Sequence, residues 1–206
     1  VDYLIVLPHA GVENITQPLP EWRVRYKHFI DLGADVVIAS HPHIIQGSEK
    51  YKGKDIFYSI GNFYFPWTGL EKVPKTWYNG MFIQLDIDAS DIRCNTFFTS
   101  FSNGNIVFGS HEGELLFKTS SIILQNSDEY NKIINKECDD LMELYNELFY
   151  YSGYVKIGSK DWLKRCIKIL FHRTKVSNTH IINNLRCESH RFAIIHALEN
   201  YKERNN

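Results

Sequence analysis

The sequence lacks three features that would define a broad class of protein. It has no apolar run of the roughly 18 to 20 residues that a membrane-spanning helix needs. It has almost no charge excess, because 23 Lys and Arg face 24 Asp and Glu and leave a formal net charge of -1. It also has no low-complexity segment. We therefore predict no membrane span, and the charge balance gives no global electrostatic reason to bind nucleic acid.

Close cysteine pairs are also missing. The four cysteines, Cys94, Cys138, Cys166 and Cys187, form no C-x-x-C motif. This spacing favours reduced structural thiols over a zinc knuckle or a redox site. The chain begins at Val1, inside an apolar run typical of a buried strand. We therefore expect it to be part of a longer protein whose location, cell envelope or cytoplasm, stays open.

What the sequence does contain is typical of an α/β fold. Residues 2–7 and 35–39 are short apolar runs rich in Val and Ile, as in strands buried on both faces of a parallel sheet. Between them, Pro18 and Pro20 open a helical pattern that Gly33 closes. Residues 2–39 therefore predict one βαβ unit.

The rest of the chain divides into a β region and a helical region. Lys52-Gly53-Lys54 predicts the turn of a hairpin formed by residues 44–51 and 55–60. Further short strands are predicted over residues 80–88, 92–101, 105–109 and 115–124. A domain boundary is predicted near residue 126, and helices at about 128–150, 160–172 and 179–203.

Histidines follow the first two predicted strands. His9 comes two residues after the first strand and His41 two residues after the second. Parallel neighbours end at the same sheet edge, where open α/β sheets bind ligands. His43 adds a third imidazole if 41–43 is an extended segment. The spacing alone is compatible both with a Zn, Mn or Fe site and with ordinary hydrogen-bonded histidines.

Two other segments each allow two interpretations. The aromatic residues between 57 and 67 could stack on sugar rings, although core or lid packing is the favoured interpretation. Residues 156–175 are rich in Lys and Arg and amphipathic, which fits an anionic membrane surface or a helix packed on its own domain.

Three motifs resemble one known family. They are the runs at residues 7–13 (LPHAGVE), 33–43 (GADVVIASHPH) and 55–63 (DIFYSIGNF). In this order and spacing they closely resemble the CapA-type proteins of bacterial poly-gamma-glutamate capsule synthesis. The resemblance covers residues 1 to about 65 well and residues 80 to about 125 loosely.

That family is similar in fold to the calcineurin-like metallophosphoesterases. The resemblance implies that residues 1–126 form the carboxyl-terminal half of a four-layer α/β/β/α sandwich, followed by a helical extension over residues 127–206. It implies that His9, His41 and His43 are ligands of two divalent metal ions, Mn, Fe or Zn. Glu13 and Asn62 match family motif positions and are the candidate catalytic residues.

The resemblance also implies partners. The Asp-x-His, Gly-Asp and Asn-His motifs expected in the first half of such proteins are not in this sequence. We therefore expect the missing amino-terminal half, or a second copy of the chain, to complete the site. The expected substrate is a capsule polymer or its precursor, handled by a metal-dependent hydrolase. The alternative is a non-catalytic assembly or export component of a capsule machine, with residues 156–175 as a contact surface.

Overall fold

The computed structural model describes residues 2–66, 73–144 and 186–205. Backbone contacts divide the chain into two compact units, residues 1–134 and 135–206. The first unit combines two β-sheets with helices, which confirms the α/β class.

The first sheet has four strands in the order β1-β2-β4-β3. They are β1 (Ile5–Val6), β2 (Val36–Ile38), β3 (Ser48–Tyr51) and β4 (Lys54–Phe57). β1, β2 and β4 are parallel, and β3 pairs antiparallel with β4. Lys52 and Gly53 form the hairpin turn with φ of 51° and 79°, the positive values that a tight two-residue hairpin requires. The predicted βαβ unit and hairpin are both confirmed.

Helix α1 (Pro20–Asp31) connects β1 to β2. It begins with Pro20 in its first turn, where the missing N–H has no helical partner to lose, and Gly33 follows its end with a φ of 104°. Trp22, Tyr26 and Ile30 form its buried face. The Tyr26 ring stacks on that of Tyr58, just beyond β4, with centroids 5.8 Å apart, so α1 covers one face of the first sheet.

The second sheet is antiparallel and packs on the other face of the first. It consists of β5 (Asn79–Ile87), β6 (Ile92–Ser102) and β7 (Asn105–Phe108), and a 3-10 turn, Lys75–Tyr78, precedes it. Val36 and Phe57 of the first sheet meet Met81 of the second in one core cluster. On the outer face, Phe97 and Phe108 are 43% and 65% exposed. The described part of this unit thus has three layers, and the outer face of the second sheet stays largely open there.

The strand predicted at 115–124 is wrong, because residues His111–Gln125 form helix α2. Ser110 caps this helix by accepting a hydrogen bond from the Gly113 N–H at 3.0 Å. Ser120 and Ser121 let α2 approach the unpaired edge of the hairpin, where their hydroxyls accept from the Gly47 and Ser48 N–H groups at 2.7 and 2.9 Å. The helix therefore covers a sheet edge that would otherwise expose unpaired backbone groups.

Two further helices are described, α3 (Ser127–Leu144) and α4 (Glu188–Asn205). They confirm the first and third predicted helices in their described parts. In the second unit, Asn135 Oδ1 lies 2.9 Å from His196 Nε2 and accepts from Asn200 Nδ2 at 3.0 Å. The helix predicted at 160–172 and the basic segment 156–175 lie outside the described residues. Across residues 2–66, 73–144 and 186–205, no helix has the length and apolar character to cross a bilayer.

Candidate metal centre

The carboxyl ends of β1 and β2 bring His9 and His41 together. Beyond the two strands, His9 and Ser40 continue the parallel pairing as an isolated bridge, and the Ala10 N–H donates to the Ser40 carbonyl at 3.0 Å. His9 Nε2 lies 3.3 Å from His41 Nδ1, and His9 Nδ1 lies 3.0 Å from Ser40 Oγ. The fold therefore brings His9 and His41 together at one edge of the first sheet, as the strand pattern predicted.

The segment from His41 to His43 is not extended as predicted. His41 has a φ of 110° and His43 a φ of 64°, both in the positive range that residues other than glycine rarely adopt. Each such residue costs on the order of 1–3 kcal/mol and persists where the surroundings fix it, often at functional sites. The two rings are brought to a centroid distance of 5.7 Å by this tight backbone rather than by alternation along a strand.

Glu13 reaches the same edge from the loop after β1. The Asn14 N–H donates to the Pro42 carbonyl at 2.9 Å, which ties this loop to the histidine segment. Gly11 allows the close approach, since it has a φ of 135° and an added Cβ would lie 2.8 Å from the Pro42 ring. Glu13 Oε1 lies 4.0 Å from His43 Nε2, and its side chain is 49% exposed.

Glu13, His41 and His43 form a donor set that fits a divalent ion. One ligand atom from each residue lies within 4.8 Å of the other two. Ligands about 2.0–2.2 Å from one ion lie within about 4.4 Å of one another, so small side-chain adjustments would close the set. Imidazole and carboxylate together suit Zn, Mn or Fe. His9 adjoins this group through its contact with His41.

Asn62 lies behind His43, in the turn after β4. Its Oδ1 is 2.9 Å from His43 Nδ1, the ring nitrogen other than the one nearest Glu13. All five residues predicted for the site, His9, Glu13, His41, His43 and Asn62, are therefore brought to one end of the first sheet. Three of them, Glu13, His41 and His43, have donor atoms within 4.8 Å of one another. His9 contacts His41, and Asn62 contacts the rear of the His43 imidazole.

Sequence reasoning missed Trp77. Its ring stacks on that of His43 with centroids 4.6 Å apart and an interplanar angle of 26°, and it is only 3% exposed. Phe65 packs on the same imidazole at 5.3 Å. The predicted aromatic segment therefore contributes partly to the site wall, while Tyr58 packs in the core and Trp67 lies outside the described residues. The one sequence feature that could have indicated this contact is the position of Trp77 just before the strand predicted at 80–88.

Comparison with known proteins finds similarity over the amino-terminal third of the chain. Residues 1–66 match the family described as bacterial capsule synthesis protein PGA_cap. Over 69 residues, 32% of this chain, the sequence is 41% identical to "Capsule biosynthesis protein CapA" of Bacillus anthracis, of which it covers 17%. Over 69 residues it is 39% identical to "PGA biosynthesis protein CapA" of Bacillus subtilis (strain 168), of which it covers 18%.

The matched region coincides with the site. It contains His9, Glu13, His41, His43 and Asn62, together with the whole first sheet. The chain matches less than one fifth of the length of these two relatives. Residues 1–66 thus match the family of bacterial capsule-synthesis proteins that their three motifs resemble.

Proposed function

We propose that this chain forms part of a capsule-synthesis protein with a metal-dependent, phosphoesterase-like or hydrolase site. The observation that carries the proposal is the convergence of Glu13, His41 and His43, with donor atoms within 4.8 Å, at the carboxyl ends of the parallel strands β1 and β2. The names of the two CapA relatives support the link to capsule synthesis.

The chemistry of the proposed site follows from its donors. Bound divalent ions would supply an activated water and stabilise the charge that develops during an in-line displacement. His41 and His43 would hold the ion with neutral imidazoles, and Glu13 would add a negative charge that offsets part of the charge of the metal. His9 would serve a second ion next to His41. Glu13 and His9 are exposed, so a substrate can reach the donors from solvent.

We also propose that the fold is the carboxyl-terminal half of a four-layer metallophosphoesterase-like sandwich. Two facing sheets with α1 on the outer face of the first support this proposal. β1 lies at the end of the first sheet, and Leu7, just beyond it, is 70% exposed. A missing amino-terminal half or a second copy of the chain would pair there, and a capsule polymer or its precursor would be the substrate.

The test is metal content, measured by mass spectrometry on protein purified without chelator. We expect bound Mn, Fe or Zn, up to two ions per chain, and its loss in the double variant His41→Ala, His43→Ala. The matched control is His28→Ala, His111→Ala, which removes two exposed histidines outside the site and should leave the metal in place. If the unaltered protein binds no metal even after Mn or Zn is added, the hydrolase proposal fails. The non-catalytic assembly role is then favoured.

A further inference from the structure

We propose that Asn62 is a positioning residue: it holds the proton of neutral His43 on Nδ1, so that the lone pair of Nε2 points at the metal position. The metal consequence rests on the proposed function. The proton placement itself is a property of the metal-free protein.

The orientation of the Asn62 amide follows from its partners. Its Nδ2 donates to the His43 carbonyl at 3.1 Å and to the Trp77 carbonyl at 3.0 Å. Carbonyl oxygens only accept hydrogen bonds, so the opposite amide orientation would face Oδ1 against two other oxygens. Both N–H groups of the amide are therefore used, and Oδ1 is the atom that faces His43.

This orientation determines which nitrogen of His43 carries the proton. Asn62 Oδ1 can only accept, and it lies 2.9 Å from His43 Nδ1. Nδ1 must therefore be the donor. A neutral imidazole has one N–H, which leaves the lone pair on Nε2, the nitrogen 4.0 Å from Glu13 Oε1. Free neutral histidine favours the opposite tautomer, so Asn62 reverses an intrinsic preference. Ligating histidines are commonly oriented by such a bond from their other nitrogen.

The support behind Asn62 is itself rigid. Gly61 forms an isolated bridge with Gly80 at the start of β5. An added Cβ at Gly80 would lie 2.2 Å from the Asn62 carbonyl oxygen, so the two backbones are as close as they can be. Trp77 contributes twice, because its ring stacks on His43 and its carbonyl holds the Asn62 amide. The imidazole is thus held on one face and at one nitrogen.

The test is nitrogen NMR of the metal-free protein with ¹⁵N-labelled histidine, at about pH 8, where imidazole is neutral. The His43 signals are identified by their loss in His43→Gln. We expect a protonated Nδ1 and a lone-pair Nε2 in the unaltered protein, and a shift toward the Nε2-protonated form in Asn62→Ala. The control is Asn79→Ala, which removes a buried amide of the same size whose Oδ1 contacts Ser110 rather than a histidine. It should leave the His43 signals unchanged.

A second measurement connects the tautomer to the metal. Zn titration should show an affinity about 10- to 100-fold lower in Asn62→Ala and nearly unchanged in Asn79→Ala. Asn62→Asp is the second variant, and it should also weaken binding because a carboxylate cannot donate to the two carbonyls. A wild-type His43 protonated on Nε2 overturns the inference without any variant, as does an unchanged tautomer in folded Asn62→Ala. Absence of Zn binding in the unaltered protein overturns the proposed function. The tautomer of His43 is measured without metal, so that result still decides whether Asn62 positions the proton.

Discussion

At the scale of single residues, the role of the Glu13 charge in the proposed site can be tested by one conservative substitution. Glu13 lies 4.0 Å from His43 Nε2 in a loop tied to Pro42, and in the proposed site it would add a carboxylate to the three imidazoles. We expect Glu13→Gln to weaken Zn or Mn binding at least about tenfold. Removing a residue that only supports a metal ligand already costs about 10- to 100-fold in metal affinity, so loss of a ligand's charge should cost no less. The amide keeps the shape of the side chain and removes only its charge. Isothermal titration measures the change.

The control for this substitution is Glu203→Gln, which removes the same charge from an exposed position of α4. It should leave the metal affinity within experimental error. An affinity equal to that of the unaltered protein in Glu13→Gln would assign the metal to the histidines alone and leave Glu13 as a solvated carboxylate.

At the scale of elements, the start of α2 connects the helix to the second sheet. Ser110 accepts from the Gly113 N–H and donates to Asn79 Oδ1 at 2.8 Å, and both side chains are buried. Ser110→Ala should lower the free energy of unfolding by about 2 kcal/mol, because it removes a helix cap and leaves a buried acceptor without its partner. Denaturant unfolding measures this loss.

Asn126→Ala provides the comparison, since Asn126 caps α3 through the Glu129 N–H at 3.2 Å but is exposed. Its loss should cost only about 1 kcal/mol. Equal costs for the two substitutions would show that the buried bond to Asn79 contributes nothing beyond an ordinary cap.

Elements with local signals could be predicted from the sequence. Pro20 and Gly33 marked the ends of α1, and Lys52-Gly53 marked the hairpin. The predicted strand at 115–124 was suggested by an apolar segment that includes the β-branched residues Thr119, Ile122 and Ile123. Ser110 instead caps a helix there, and Ser120 and Ser121 dock it on the hairpin edge. Tertiary contacts of this kind are not encoded by local pattern.

The candidate site also has features that the sequence predicts and features that it does not. Strand topology was sufficient to predict that His9 and His41 meet, because parallel strands end together. The positive φ values of His41 and His43 could not be predicted, since such backbone is uncommon outside glycine. Trp77 reaches His43 across 34 positions of chain, and no periodic pattern indicates such a contact.

At the scale of the whole molecule, one partly buried ion cluster ties together α1, the first sheet and the end of α2. Arg23 Nε and Nη2 donate to the two oxygens of Glu49 at 3.1 and 3.0 Å, and Lys27 lies 3.1 Å from the same carboxylate. The Tyr58 hydroxyl also donates to Glu49. Arg23 further donates to the Leu124 carbonyl at 3.2 Å. The Glu49 side chain is 15% exposed, so this cluster links elements distant in sequence where solvent screens its charges less than at the open surface.

This cluster predicts how stability depends on pH. Burial raises the pKa of Glu49, but hydrogen bonds from Arg23, Tyr58 and Lys27 outweigh burial and hold that pKa below its ordinary value. A carboxyl whose pKa is lower in the folded state stabilises the protein above its unfolded pKa of about 4.3, and that stability is lost as the pH falls further. We therefore expect the free energy of unfolding to decrease below about pH 4.3.

Glu49→Gln tests the origin of that decrease. The variant should lose about 3 kcal/mol at neutral pH, because Arg23 and Lys27 stay partly buried without their carboxylate. Its unfolding free energy should then fall less steeply in acid, since one proton-binding group is gone. Asp31→Asn is the control, because Asp31 pairs with Lys52 at the solvent-screened surface, so its loss should change the free energy of unfolding much less. If Glu49→Gln and the unaltered protein lose stability in parallel as the pH falls, the acid sensitivity arises from other carboxylates.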